Sequence, residues 1–235
     1  MEAWEIIVLL FLLVSILMFV ALPSAFKNAK KEKARKSEEQ KWNAFKDQLQ
    51  NLYHDKDFEN IVKHYASYET TDVAELQILG LANFQTGNSE LGEKIFKKAL
   101  ANCPTHKKND IRLNLAKCWF NSQHYRKAIK YLQEIPYEDL KYSFAEGEYE
   151  VPSLTGISYY KIEKYEAALE AFKKAPINKK DVNAQLNDII VNIGECYEAL
   201  GNNKMAVKFY NKALSNDITL IELEEKIEKL ERMEA

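Results

Sequence analysis

The sequence predicts an all-α protein: a solenoid of about five helical hairpins with a C-terminal capping helix, behind a single N-terminal transmembrane helix. Three observations lead to this prediction. A fixed spacing of small and aromatic residues recurs at intervals of 31 to 40 residues between residues 42 and 218. Ile6–Phe26 contains no charged residue, and residues 219–235 carry apolar side chains on one helical face.

The repeated unit is clearest in residues 187–214. Small residues at an origin and twelve residues later allow two helices to approach closely, and aromatic residues at offsets +3 and +16 fill the space between them. A glycine at +7 ends the first helix, because glycine adopts the left-handed conformation without steric cost. In this copy the residues are Gly194, Tyr197, Gly201, Ala206, Tyr210 and, at +19, Ala213.

The same offsets recur from four earlier origins. These are Leu49, Gly80, Ala116 and Gly156. Six of the seven glycines in the chain fall at an origin, at +7 or at +12. The pattern predicts paired helices at 40–54 with 58–68, 73–86 with 89–102, 109–122 with 125–135, 152–163 with 165–175, and 182–200 with 203–215.

Residues 42–218 resemble the tetratricopeptide repeat (TPR) family, whose period is about 34 residues. The resemblance is carried by LGLANFQTGN, GISYYKIEKYEAALEAFKKA and GECYEALG. Asn83, Gly92 and an insertion between the third and fourth copies depart from the pattern. The resemblance implies a scaffold that binds peptides or partner helices, and it does not identify the partner.

The N-terminal segment is interpreted as a membrane anchor, residues 1–26. The 21 residues of Ile6–Phe26 would span about 31 Å as a helix, which matches the hydrocarbon core of a bilayer. A cleaved signal peptide would need a basic start and a small-x-small cleavage site. The chain instead begins with Glu2 and Glu5 and places Pro23 at the third position before the plausible cut.

Charge predicts the orientation of this anchor. Residues 27–36 hold six Lys/Arg and one Glu, so we expect this side to be cytoplasmic, as in a bacterial inner-membrane protein. Residues 27–41 read as a polar helical stalk, and Lys27–Lys36 are also candidates for contact with anionic lipid. The repeats occupy 42–218 and the cap 219–235.

Composition disfavours several other functions. Residues 42–235 are net −4, since the whole chain is −2 and residues 1–41 are +2, which argues against nucleic-acid binding. Three unpaired cysteines fit a reducing compartment. The four histidines form no metal or catalytic motif, and no nucleotide-binding motif is present. We therefore predict no enzyme activity, no metal site and no cofactor.

Candidate binding residues follow from the resemblance, because first helices line the concave groove of TPR arrays. The residues at groove-facing offsets are Tyr53, Leu81, Phe84, Leu113, Lys117, Phe120, Ile157 and Tyr160. Such a groove suits an apolar helix or an extended peptide. The alternative is that the aromatics at +4 only brace neighbouring hairpins. The lysine and asparagine set that grips a C-terminal carboxylate in some TPR domains is absent around Asn114 and Asn192.

Three further features of the sequence lead to structural predictions. The insertion at 136–152 is either a binding loop or an extra helical turn that covers a gap in the solenoid. Asp181 is a candidate N-cap, and Thr219 with Glu222 forms a candidate capping box. Leu220, Leu223, Ile227 and Leu230 mark the inward face of the cap.

The sequence thus favours a membrane-anchored adaptor whose cytosolic groove recruits or assembles a protein complex. An import receptor of the mitochondrial outer membrane shares this layout and remains an alternative. An enzyme on a helical scaffold is a third class, without a residue set in its favour.

Overall fold

The computed structural model describes residue 15 and residues 22–136, 147–178 and 182–234. All regular structure in these ranges is helical, so the all-α prediction is confirmed. Most of the predicted anchor lies outside the described residues. No helix within the described ranges is both long enough and apolar enough to cross a membrane.

The described part of the chain contains eleven α-helices, with a short 3₁₀ turn at Thr105–Lys107 before the fifth. Their bounds agree with the predicted pairs to within a few residues, except at the start of the first and seventh. The helices are α1 (Leu22–His54), α2 (Phe58–His64), α3 (Val73–Gln85), α4 (Ser89–Asn102), α5 (Lys108–Asn121), α6 (Tyr125–Gln133), α7 (Gly147–Lys161), α8 (Tyr165–Phe172), α9 (Ala184–Ala199), α10 (Asn203–Asn216) and α11 (Glu222–Glu234).

The chain divides into two compact units, Met1–Ile61 and Val62–Ala235. In the first unit, α1 is one helix of 33 residues. It runs without a break through Lys41 and Trp42, where we expected the stalk to meet a separate repeat helix. Every described side chain from residue 27 to residue 44 is exposed. Polar helix formers continue the helix across this boundary because no glycine or proline interrupts them.

The hairpins are numbered by their sequence copies, the copy with its origin at Leu49 being the first. The second unit is a stack of the second to fifth hairpins, α3/α4, α5/α6, α7/α8 and α9/α10, followed by α11. The two helices of each hairpin pack together, and the second helix of each packs on the first helix of the next. The first helices of consecutive hairpins also contact one another. This arrangement is a TPR-like solenoid.

The helix turns confirm the repeat register most directly. The residue at +7 has a positive φ in all five copies, whether or not it is glycine. Gly87 and Gly201 have φ of 84° and 71°, and Lys56, Gln123 and Glu163 have φ of 57°, 60° and 60°. In each copy the amide at +7 donates to the carbonyl at +4, and the amide at +8 donates to the carbonyl at +3, over 2.7–3.1 Å. These two bonds define a Schellman motif.

The origin glycines lie against the aromatic rings at +16, as predicted. A Cβ on Gly194 would lie 2.5 Å from Cε1 of Tyr210, and one on Gly80 would lie 2.7 Å from Cδ2 of Phe96. Gly156 faces Phe172 in the same way. The third hairpin has Ala116 and Leu132 at these two offsets, and both are buried in one core cluster.

The C-terminal helix closes the stack. Leu223, Ile227 and Leu230 of α11 are buried in one cluster with Ile190 and Tyr210 of the last hairpin. The inward face of the cap is therefore as predicted.

Two predicted caps are wrong. The Thr219 hydroxyl does not cap α11. It donates to Asp217 Oδ1 at 2.6 Å, as part of a turn in which the Asp217 side chain also accepts from the Thr219 amide. At the start of α9 the cap is Asn183, whose side chain accepts from the Leu186 amide at 2.9 Å. Asp181 lies outside the described residues.

The insertion is partly helical. Helix α7 begins at Gly147, so residues 147–152 extend the first helix of the fourth hairpin. Val151 is buried in the core shared with the third hairpin. This favours the extra-helical-turn interpretation for that part, while residues 137–146 lie outside the described residues.

The turns yield a stability prediction. Gly201→Ala should lower the free energy of unfolding by about 1–2 kcal/mol, because alanine disfavours the left-handed region and no other atom crowds this site. Gln123→Gly should raise the free energy of unfolding by up to about 1 kcal/mol, since relief of left-handed strain outweighs the added chain entropy. Thermal denaturation followed by far-UV circular dichroism measures both.

The control for this pair is Gln123→Ala. It keeps a Cβ at the same backbone conformation, and the Gln123 side chain is exposed, so stability should change by less than about 0.5 kcal/mol. If Gln123→Gly destabilises the protein, the +7 conformation is not a source of strain.

Candidate protein-binding face

The first helices of the second unit form one continuous surface, which we name the first-helix face: the exposed sides of α3, α5, α7 and α9. Contacts between neighbouring first helices define it. Asn114 Nδ2 of α5 donates to Gln77 Oε1 of α3 at 2.9 Å. Lys117 of α5 forms an ion pair with Glu150 of α7. These contacts join α3 to α5 and α5 to α7 along this face.

Two of the predicted groove residues lie in the core. Phe84 is 6 % exposed and Leu113 is 4 % exposed. The Phe84 ring packs edge-to-face on Trp119 of the next hairpin, with centroids 4.8 Å apart. The bracing interpretation is therefore correct for Phe84, and neither residue is available to a partner in this conformation.

The burial of Phe84 also explains a departure from the TPR pattern. A Cβ on Gly92, the +12 residue of the same hairpin, would lie 2.6 Å from Cδ2 of Phe84. Glycine replaces the usual alanine here because the Phe84 ring occupies the space of the methyl group.

The remaining predicted residues are only partly covered. Leu81, Phe120, Ile157 and Tyr160 are half-buried, each with one side against the core. Lys117 is also half-buried, but its charge is matched by Glu150. Tyr53 is 39 % exposed and belongs to the first unit.

Aromatic pairs recur on two consecutive hairpins. Phe120 packs edge-to-face on Tyr125, with centroids 5.6 Å apart, and Tyr160 packs on Tyr165 at 5.4 Å. Sequence reasoning identified the +4 member of each pair and missed the +9 member. The sequence shows the +9 member as an aromatic residue five positions after the aromatic at +4, so the pair could have been predicted. Edge-to-face packing holds each ring in place before a partner binds. Binding would therefore cost little further side-chain entropy.

The C-terminal end of the first-helix face is acidic. Glu198 accepts a hydrogen bond from the buried Tyr210 hydroxyl at 2.6 Å. Glu195 pairs with Lys226 of α11 at 3.3 Å. Burial, then the negative charge of Glu195, raises the pKa of Tyr160, so this hydroxyl stays protonated and able to donate.

The buried thiols are poorly suited to nucleophilic chemistry. Burial raises the pKa of Cys118 to about 12, and burial followed by the charge of Glu195 raises the pKa of Cys196 to about 12. Both are therefore protonated near neutral pH, and the thiolate is the reactive form. The described residues contain no cluster of three His, Cys, Asp or Glu side chains arranged to hold a metal ion.

The comparison with protein families bears on the last hairpin. A family model described as tetratricopeptide repeat matches residues 188–217, which span most of α9 and all of α10. The fifth hairpin is similar to a tetratricopeptide repeat. Comparison with curated protein sequences returns no match.

Solved structures of MamA have a similar fold. MamA of AMB-1 is 19 % identical over 74 % of this chain and 97 % of that chain, with a TM-score of 0.54. Residues 41 to the end of MamA from Desulfovibrio magneticus RS-1 give 18 % identity over 76 % and 96 %, with a TM-score of 0.56. At this identity the likeness shows the fold alone, a solenoid of helical hairpins.

Burial predicts different consequences for two aromatics at the same offset. Phe84→Ala should lower the free energy of unfolding by about 3–5 kcal/mol, because it empties a core site between two hairpins. Phe120→Ala should cost less, about 1–2 kcal/mol, because part of the ring already faces solvent. Denaturant unfolding of the full chain measures both values. Equal losses would show that Phe120 is a core residue and would remove it from the binding face.

Proposed function

We propose that the chain is a protein–protein interaction scaffold whose first-helix face binds a peptide or helix of a partner protein. The tetratricopeptide repeat in the fifth hairpin and the TPR-like fold support this class of function. The observation that carries the proposal is the pair of partly exposed aromatic contacts, Phe120 with Tyr125 and Tyr160 with Tyr165.

Aromatic side chains suit this role energetically. They supply a large contact area at low conformational-entropy cost, and they dominate the residues that contribute most to binding at protein interfaces. Leu81 and Ile157 add partly exposed aliphatic surface at the +1 offset of two hairpins. The face thus combines apolar anchors with few unpaired charges, which favours an apolar helix or extended segment over a charged ligand.

The spacing of hairpins sets the spacing of the partner's anchors. Packed helices lie roughly 8–10 Å apart. Two apolar side chains about seven residues apart on one face of a helix cover that distance. A partner helix with this periodicity would meet Phe120 and Tyr160 together.

We further propose that residues 1–26 anchor the scaffold in a bacterial inner membrane, with the repeats in the cytoplasm. The uncharged Ile6–Phe26 and the basic residues after it support this placement. The exposed helix α1 would then carry the polar stalk away from the membrane surface. Contacts of Lys27–Lys36 with anionic lipid would add roughly 1 kcal/mol per basic residue near the surface.

The double variant Phe120→Ala, Tyr160→Ala tests the binding face. Its partners should be lost from crosslinking and mass spectrometry in the native membrane, because each truncation removes about 1–3 kcal/mol of binding free energy. The matched control is Leu91→Ala, Ile218→Ala, which truncates two exposed apolar side chains outside the face. That control should retain the partners.

Helical circular dichroism of both variants must match the wild type. If the folded Phe120→Ala, Tyr160→Ala variant keeps its partners, the first-helix face is not the binding site. The insertion at 136–152 then becomes the better candidate.

The membrane proposal has its own test, based on six Lys/Arg after the span and none before it. Protease added to intact spheroplasts should leave residues 42–235 uncut, and disruption of the membrane should expose them to cleavage. Digestion from outside would show that the orientation, or the anchor itself, is wrong.

A further inference from the structure

We propose that α1 is a rigid spacer that stands away from the membrane and holds the first hairpin at a fixed height above it. This inference rests on the proposed function, since it takes residues 1–26 as the membrane anchor. It adds the conformation and the reach of the segment that joins the anchor to the repeats.

Helix α1 runs from the proposed anchor into the first hairpin without a break. It starts at Leu22, inside the uncharged stretch Ile6–Phe26, and ends at His54. Leu49, near its far end, has no exposed surface. After Pro23 the helix contains no glycine or proline, the residues that interrupt helices most strongly. One continuous helix therefore connects the membrane side of the chain with the buried origin of the first hairpin.

The exposed part of α1 has the composition of a helix that is stable in water without packing. Every described side chain from residue 27 to residue 44 is exposed. Thirteen of the fifteen residues 27–41 are Ala, Lys, Arg, Glu or Gln, which are strong helix formers. The Lys36 ammonium lies 2.9 Å from Glu32 Oε1, one turn earlier. A helix that is polar on all sides is typical of a segment that bridges solvent between two parts of a protein.

This part of α1 has no side suited to lying along the membrane. Residues 27–41 contain no apolar side chain larger than alanine. Its basic residues point in all directions: relative to Lys27, Arg35 lies at about 80°, Lys36 at about 180° and Lys33 at about 240° around the helix axis. A helix that binds in the interface needs an apolar face opposite its basic face. The helix therefore stands away from the bilayer.

The helical rise sets the height of the first hairpin. From Phe26 to Leu49 the axis extends about 35 Å, and a tilt of up to about 40° leaves roughly 26–35 Å above the hydrocarbon core. The headgroup layer is roughly 5–7 Å thick, and the Debye length beyond it is about 8 Å. Attraction to anionic lipid is therefore confined to about the first ten residues, Lys27–Lys36. The first hairpin lies beyond its range.

Fluorescence energy transfer from a donor on α1 to an acceptor lipid measures this height. The full chain is placed in liposomes of phosphatidylcholine and phosphatidylglycerol, with the donor on Ser37→Cys or Gln48→Cys, two exposed positions. The native cysteines are buried, so the introduced thiol takes the label, and the wild type measures the background. The donor at Gln48→Cys should lie about 13–17 Å farther from the lipid than the donor at Ser37→Cys. Equal distances would show that α1 lies on the surface and would overturn the proposal.

Salt separates a standing helix from one that lipid attraction holds down. Between about 0.1 M and about 1 M salt the Debye length falls from roughly 10 Å to about 3 Å. Both distances should stay the same, because the stiffness of the helix sets them. An increase in the distance at Gln48→Cys in high salt would show that lipid charge holds α1 near the surface, and it would reject the spacer.

Two variants at the same residues test whether the continuity of α1 sets the height. Lys33→Gly, Ala34→Pro breaks the helix within its exposed part, because proline clashes with the preceding turn. Time-resolved energy transfer should then give a shorter mean distance at Gln48→Cys and a broader distribution. The matched control, Lys33→Gln, Ala34→Gln, removes the same charge but keeps strong helix formers, so it should leave the mean and the width unchanged.

Both variants should unfold at the wild-type temperature, because the changed side chains are exposed. If Lys33→Gly, Ala34→Pro keeps the wild-type mean and width, α1 does not set the height and the proposal is wrong. An equal change in Lys33→Gln, Ala34→Gln would assign the height to the charge of Lys33 and would also reject the spacer.

Failure of the spacer is distinguishable from failure of the membrane proposal. Flotation with the liposomes reports on the anchor alone. A chain that floats and gives equal distances at the two labels keeps the anchor and rejects the spacer. A chain that stays in solution rejects the anchor and, with it, the spacer. The binding face has its own variant and does not enter either measurement.

Discussion

The structure depends on the turn at the +7 residue of each hairpin. A left-handed residue there reverses the chain after the same number of residues in every copy, and in the three copies with an origin glycine that glycine faces the +16 ring of the second helix. Glycine is favoured at +7, but Lys56, Gln123 and Glu163 adopt the same conformation. The two hydrogen bonds of the Schellman motif and the packing of both helices outweigh the local strain.

Polar contacts between hairpins occur on both sides of the stack. They separate charged residues that join hairpins from charged residues that remain available to a partner. On the second-helix side, Lys127 lies 3.8 Å from the centroid of the Trp119 ring and pairs with Glu90 at 2.5 Å. On the first-helix face, the ion pair between Lys117 and Glu150 joins two neighbouring hairpins. Charges that join hairpins are less available to a partner, which leaves the partly exposed rings of Phe120 and Tyr160 as the distinctive chemistry of that face.

The paired aromatics illustrate how one offset serves two purposes. At +4, Phe84 is a core residue because Gly92 makes room for its ring against Trp119. Phe120 occupies the equivalent position one hairpin later, but its neighbour there is Tyr125 and part of its ring remains exposed. A periodic sequence position therefore does not fix burial, since burial depends on the size of residues elsewhere in the same and the next hairpin.

The sequence by itself determined the helices, the turns and the repeat register, because each depends on residues close in the chain: glycine at +7, small residues at 0 and +12, and apolar residues at helical spacing. The register also places Phe120, Tyr160, Leu81 and Ile157 at groove-facing offsets, and their role in binding stays a prediction. Only the tertiary structure decided which candidate binding residues face solvent, and it places Phe84 and Leu113 in the core. It also pairs Lys117 with Glu150 and Glu195 with Lys226. Both ion pairs, and the contact of Phe84 with Trp119, join residues 31 or more positions apart, which no local pattern specifies.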